Sequence, residues 1–222
     1  MENIDNNIQL IVSGFCAAVA ITRAISTTRR NWMLLAVCYT AGMLADLYWL
    51  LYYIFNGSTP DLFYIPYLGW YVSTLFLYIF LNEITLRKAG EKSRLMWVVP
   101  AFTAAMCVFY MFYGDYISNL IAATIMALLG CEVINGLHAL KLRSREGIEQ
   151  VKLRCHRRLY IAAGLFFIAV YGMWTASCFL TVDSVLSPYY WFDFMKAVMM
   201  LIILLFASPV IGLSERKDEA VA

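Results

Sequence analysis

The position of the positive charges constrains the fold of this chain more than any other feature. Once the long apolar runs are marked, every Lys and Arg except Lys196 lies in, or at the ends of, alternate connecting segments. Basic residues collect on the cytoplasmic side of membrane proteins. The pattern therefore predicts a multi-pass membrane protein with its N-terminus outside and its C-terminus in the cytoplasm.

The composition agrees with this class, since 62% of the 222 residues are hydrophobic and only 14% are charged. A soluble domain would carry about 25% charged residues. A membrane span needs about 20 apolar residues to cross the hydrocarbon layer. We therefore predict an all-α bundle of seven transmembrane helices, a single domain over 1–222, in the plasma membrane. The predicted spans are about 8–25, 32–55, 62–85, 95–113, 116–140, 159–182 and 188–212.

The connecting segments indicate which partners the chain meets. The charged residues of the segments expected outside are all acidic. The segments expected inside are basic, above all 141–158. Basic segments beside span ends attract anionic lipid headgroups, so we expect the bilayer and its anionic lipids as partners, and no nucleic acid. The inner connection 143–158 fits either an interfacial helix or an extension of the flanking spans. The oligomeric state stays open.

A layer of charged residues is predicted within the outer half of the bundle. Lys196 lies about 12 Å from the outer end of the seventh span, and Asp46 lies about 13 Å from the outer end of the second. Asp193 is one helical turn before Lys196, on the same face. Aromatic residues occur at similar depth in the second, third and sixth spans: Trp49, Trp70, Tyr71, Tyr171 and Trp174.

Two interpretations of this layer are open. In the first, Asp193 and Lys196 neutralise each other, Asp46 is hydrogen-bonded to hydroxyl groups, and the aromatic residues form an interfacial belt. In the second, the layer is an outward-opening pocket for a small amphipathic or amine-containing ligand. Two carboxylates against one lysine leave negative charge, which favours a cation held partly by aromatic rings. The candidate ligand-binding residues are then Asp46, Trp49, Trp70, Tyr71, Tyr171, Trp174, Asp193 and Lys196.

A second polar group lies in the inner half of the fifth span. Glu132, Asn135 and His138 recur every third residue, so Glu132 and His138 are candidates for a proton relay. No metal site is expected, because few ligating side chains are available. The chain contains no P-loop, GxSxG, HExxH or dinucleotide-binding fingerprint, so the sequence favours a binding protein over an enzyme without deciding between them.

The chain resembles the lysoplasmalogenase family of multi-span hydrolases. Ala45-Asp46 is similar to that family's Gly-Asp, the stretch 70–78 to its aromatic and small-residue pattern, and Tyr189-Tyr190 to its Tyr-Tyr before the last span. The resemblance covers most of the chain and implies an intramembrane lipid hydrolase with Asp46 as the catalytic acid or base. The family's histidine aligns near Leu75 of this chain, and its Ser-Asp pair aligns near 170–171. Of these family residues, the chain keeps only Asp46.

A second resemblance is to the microbial rhodopsins, on topology, on size and on the third-span residues Tyr67, Trp70, Ser73 and Thr74. It implies retinal bound to Lys196; no other cofactor is expected. Ligand binding or sensing is the leading hypothesis. The alternatives are a lipid hydrolase, a small proton-coupled transporter with Glu132 as carrier, and a retinal protein.

Overall fold

A computed structural model describes residues 2–58, 64–179 and 187–219, with no side chains described for 2–4, 64 and 214–219. Within these ranges the chain is helical and contains no β-strand. A 3-10 turn at Arg94–Trp97 leads into the fourth helix. The seven α-helices are α1 (Glu2–Thr27), α2 (Arg30–Asn56), α3 (Tyr64–Glu83), α4 (Val98–Tyr110), α5 (Tyr116–Arg145), α6 (Gln150–Phe179) and α7 (Pro188–Glu219).

The all-α multi-pass prediction is confirmed at the level of helix length and composition. Six of the described helices are long and apolar enough to cross a membrane, and the fourth predicted span is a shorter apolar segment, Arg94–Tyr110. The predicted outer ends near 62 and 182 lie outside the described residues. The inner connection is an extension of its neighbours, because α5 continues to Arg145 and α6 begins at Gln150.

The long helices form a closed ring in the order α1, α2, α3, α5, α6 and α7, with α7 packed back onto α1. Helix α4 lies outside this ring against α5, and Phe102 of α4 contacts the Phe167 and Tyr171 rings of α6. A ring of six helices leaves space along its axis, and side chains directed inward meet there. This arrangement positions the site described below.

One end of the bundle, formed by segments 28–29, 84–93 and 146–149, is called the basic end. Arg143 at the end of α5 is only 2% exposed there. Its guanidinium donates to the Leu86 carbonyl at 2.9 Å, to Glu146 at 2.6 Å and to Glu91. The Lys88 amide and the Arg143 guanidinium hold the pKa of the Glu91 carboxyl below its ordinary value. These bonds attach the 84–93 segment to α5.

Helices α2 and α3 approach closely at a glycine. A Cβ atom at Gly69 would lie 2.8 Å from the Ala45 Cβ and 2.9 Å from the Ala41 carbonyl oxygen. Small residues at helix contacts allow such close packing in membranes. The contact lies next to Asp46 and Trp70, so it sets the relative position of two candidate site residues.

We predict that Gly69→Ala destabilises the fold by about 1–3 kcal/mol, because the added methyl group would force α2 and α3 apart. The matched control is Gly212→Ala, since a Cβ there would meet no atom within 4 Å. The thermal unfolding midpoint in detergent measures both variants. Equal midpoints for Gly69→Ala and the wild type would contradict the close packing.

Candidate functional site

A cavity of about 220 Å³, called the polar cavity, lies inside the ring in the half opposite the basic end. All six helices of the ring contribute to it. Seven of the eight residues proposed from the sequence as ligand-binding line its wall: Asp46, Trp49, Trp70, Tyr71, Trp174, Asp193 and Lys196. The structure thus brings together residues from four helices that the sequence placed only at a common depth.

Helix α7 directs Asp193 and Lys196 into the polar cavity. Tyr189, Asp193, Lys196 and Met200 line it, at the spacing of one helix face. Lys196 Nζ lies 2.7 Å from Asp193 Oδ1, although Asp193 is only 1% exposed. The ammonium also lies 5.7 Å from the centre of the Trp70 ring, within cation–π range.

The Asp46 carboxylate is held by neutral donors from two other helices. Trp70 Nε1 donates to Oδ1 at 2.9 Å, and Ser13 Oγ donates to Oδ2 at 3.0 Å. Among the described residues no Lys or Arg is in ion-pair contact with Asp46, which is 6% exposed. Two hydrogen bonds satisfy one lone pair on each oxygen and leave the carboxylate charge unneutralised by direct contact.

Helix α1 supplies polar residues that the sequence interpretation missed. Asp5 and Gln9 line the polar cavity, and Ser13 follows one turn later on the same face. The Gln9 side-chain amide donates to Asp193 Oδ2, and the Asp5 carboxyl also hydrogen-bonds Asp193. Asp5 precedes the first predicted span, about 8–25, yet α1 begins before it. The recurrence of polar residues at every fourth position was the signal that could have identified this face.

The cavity therefore contains three carboxyl groups, Asp5, Asp46 and Asp193, against the single ammonium of Lys196. A buried charge is costly unless a partner compensates it. A hydrogen bond between two carboxyl groups needs one proton, so Asp5 and Asp193 together carry one negative charge, which Lys196 neutralises. The surplus negative charge belongs to Asp46, and the arrangement suits one additional cation.

The eighth predicted ligand-binding residue, Tyr171, lies elsewhere. It lines an adjoining cavity of about 490 Å³, called the aromatic cavity, between α3, α4, α5 and α6. Its ring packs against the Tyr110 and Trp174 rings at centroid distances of 6.3 and 5.6 Å. Tyr171 faces α4, since its ring contacts the Phe102 and Tyr110 rings of that helix.

The residues proposed for a proton relay lie toward the basic end and line neither cavity. Glu132 Oε2 is 3.3 Å from Arg87, and Asn135 accepts a hydrogen bond from the Ser93 amide at 3.0 Å. Both contacts attach the 84–93 segment to α5. His138 is partly buried on the same helix. The relay of Glu132 and His138 stays a prediction.

No protein-family model, curated protein or solved structure matches the chain. The resemblances to the lysoplasmalogenase and rhodopsin families therefore stay predictions. Function has to be argued from the cavity and its charges.

We predict that Lys196→Met lowers the free energy of unfolding by about 3–5 kcal/mol, because Asp193 would remain buried without its cation. The double variant Lys196→Met/Asp193→Asn removes both charges and should recover more than half of that loss. Thermal unfolding in detergent, followed by tryptophan fluorescence, measures the two. A double variant as unstable as Lys196→Met would show that the ion pair is not the cause.

Proposed function

We propose that this protein is a seven-span membrane protein, with its N-terminus outside, that binds a small amine-bearing ligand in the polar cavity. The observation that carries the proposal is the excess of carboxyl groups over the one lysine inside a buried, aromatic-lined space. A ligand ammonium would supply the missing positive charge, and aromatic residues in the lining, such as Trp49 and Trp174, can contribute cation–π attraction to it. Recognition or sensing of such a ligand needs no further domain.

The course of α4 supports seven spans. The Ser93 amide binds Asn135 near the basic end, whereas the Tyr110 carbonyl accepts from Asn119 Nδ2 at 3.0 Å near the other end. The 3-10 turn and α4 therefore run antiparallel to α5 along much of its length. Their combined rise is about 28 Å, close to the thickness of a hydrocarbon layer.

The positive charges support the proposed orientation. Basic residues cluster at the basic end, which favours a cytoplasmic position for that end and an outer position for the polar cavity. A ligand would then enter from outside the cell.

We predict opposite accessibility for two exposed positions at the ends of the bundle, Asn56 and Ser144. In a variant without native cysteines, a membrane-impermeant maleimide should label Asn56→Cys in intact cells. It should label Ser144→Cys only after permeabilisation. Labelling of Ser144→Cys in intact cells, with Asn56→Cys protected, would reverse the orientation.

The size of the cavity restricts the ligand. Sites for drug-sized molecules measure about 300–1,000 Å³, whereas the polar cavity measures about 220 Å³. A short primary amine is therefore a suitable first probe of this cavity. Propylamine and the uncharged propanol, which are nearly equal in size, separate the effect of charge from that of volume.

We predict that propylamine raises the thermal unfolding midpoint and that propanol at the same concentration does not. Asp46→Asn should weaken propylamine binding about 10- to 100-fold, since a hydrogen bond to a charged group contributes about 1.5–3 kcal/mol. The control is Glu83→Gln, which removes an exposed carboxylate that pairs with Arg30 at the basic end. Stabilisation by propanol, or by propylamine equally in both variants, would refute an anionic amine site.

A lipid hydrolase is the second candidate, because the Ser13 hydroxyl lies 3.0 Å from the Asp46 carboxylate inside the bundle. A carboxylate so placed can accept the proton of a hydroxyl nucleophile. Release of fatty aldehyde or fatty acid from lysolipids, lost in both Ser13→Ala and Asp46→Asn, would favour this function over binding alone. Among the described residues, no comparable contact favours the transporter or retinal hypotheses.

A further inference from the structure

The aromatic cavity differs from the polar cavity in its chemistry. Six of its fifteen lining residues are aromatic, and its one charged lining residue, Asp115, lies at the exposed loop before α5. That carboxylate accepts from the Ser118 amide at 2.7 Å and caps the helix. Tyr113 and Gly114 are also exposed, so the cavity reaches the surface at the end of the bundle opposite the basic end. Its interior suits an uncharged group.

The two cavities have a common wall. Five residues line both of them: Tyr67, Tyr71, Ala122, Trp174 and Ser177. The Tyr71 hydroxyl donates to the Ser118 carbonyl at 3.0 Å, and its ring stacks on Tyr67 with centroids 6.0 Å apart. The two cavities thus share a wall made of these side chains, of which those of Ala122 and Ser177 are small.

A buried hydroxyl beside the aromatic cavity has no partner. Tyr171 is 5% exposed, and its hydroxyl has no hydrogen-bond partner among the described residues. The neighbouring Tyr110 hydroxyl, in contrast, bonds Thr175 Oγ1 at 2.8 Å. Buried polar groups are nearly always satisfied, so an unsatisfied one in the lining of a cavity points to a missing ligand or water.

We infer that the aromatic cavity is the second half of the ligand site and holds the uncharged aromatic body of a molecule whose amine occupies the polar cavity. The ligand class is then an elongated arylalkylamine, with its alkyl chain passing the common wall beside Tyr71. A polar substituent on the aromatic body can accept the hydrogen bond of Tyr171. This inference rests on the proposed function, since the amine anchors the molecule.

Two amines of different length test the inference: propylamine, which fits the polar cavity alone, and 2-(biphenyl-4-yl)ethylamine, whose rings must extend beyond it. Of the two cavities, Ala123 lines only the aromatic one, so Ala123→Phe places a ring in that cavity and leaves the lining of the polar cavity unchanged. Thr124→Phe is the matched control, because Thr124 is exposed on the outside of α5 and lines neither cavity.

In the wild type we expect the biphenyl amine to bind at least about tenfold more tightly than propylamine, because it buries more apolar surface. Ala123→Phe should remove that advantage and leave propylamine binding unchanged, while Thr124→Phe changes neither. Calorimetric titration in detergent gives both affinities. Because Ala123→Phe can impair folding, a second measurement uses the wild type: the biphenyl amine, but not propylamine, should slow alkylation of Cys178 in the aromatic cavity.

The outcomes distinguish the two proposals. If propylamine binds but the biphenyl amine binds no more tightly, or keeps its advantage in Ala123→Phe, the second half of the site is refuted and the amine site stands. An unchanged rate of Cys178 alkylation under saturating biphenyl amine refutes it in the same way. If neither amine binds, the proposed function itself fails.

Discussion

The ion pair between Lys196 and Asp193 is the interaction on which the rest of the bundle interior depends. The two residues lie one turn apart on α7, with Lys196 Nζ 2.7 Å from Asp193 Oδ1, and Asp193 is almost completely buried. Neither charge can be stable in an apolar interior alone, so the other helices must present polar groups to this point. Gln9 and Asp5 of α1 meet Asp193, and Trp70 of α3 lies beneath the ammonium.

Trp70 joins the ion pair to the Asp46 carboxylate. Its ring faces Lys196, and its indole N–H donates to Asp46, so one side chain contacts a cation and an anion from two different helices. All three of these residues line the polar cavity. The neighbouring Tyr67 ring, whose centre lies 5.6 Å from that of Trp70, belongs to the wall between the polar cavity and the aromatic cavity. The proposed ligand site would discriminate ligands by charge at one end and by shape at the other.

Much of this arrangement could be predicted from the sequence, and the failures have clear causes. Depth follows from the constant rise of a helix, so the sequence places Asp46, Trp70, Trp174 and Lys196 at a common depth, and all four line the polar cavity. Tyr171 has the same depth but faces α4, because direction around a helix axis depends on neighbours distant in sequence. Asp5 was missed because an acidic residue near a terminus is typical of a solvated tail.

The sequence by itself determined that the protein is an all-α multi-pass membrane protein and where its apolar helices lie along the chain. Both follow from the free-energy cost of placing charged residues in hydrocarbon, which depends on each segment's own composition. It also determined the Lys196–Asp193 pair, since residues three apart meet on one helix face. Only the tertiary structure decided that Ser13 and Trp70 bind Asp46, that α4 lies outside the ring, and that two cavities share one wall. Those contacts depend on helix rotation, which close packing such as that at Gly69 sets between residues far apart in the chain.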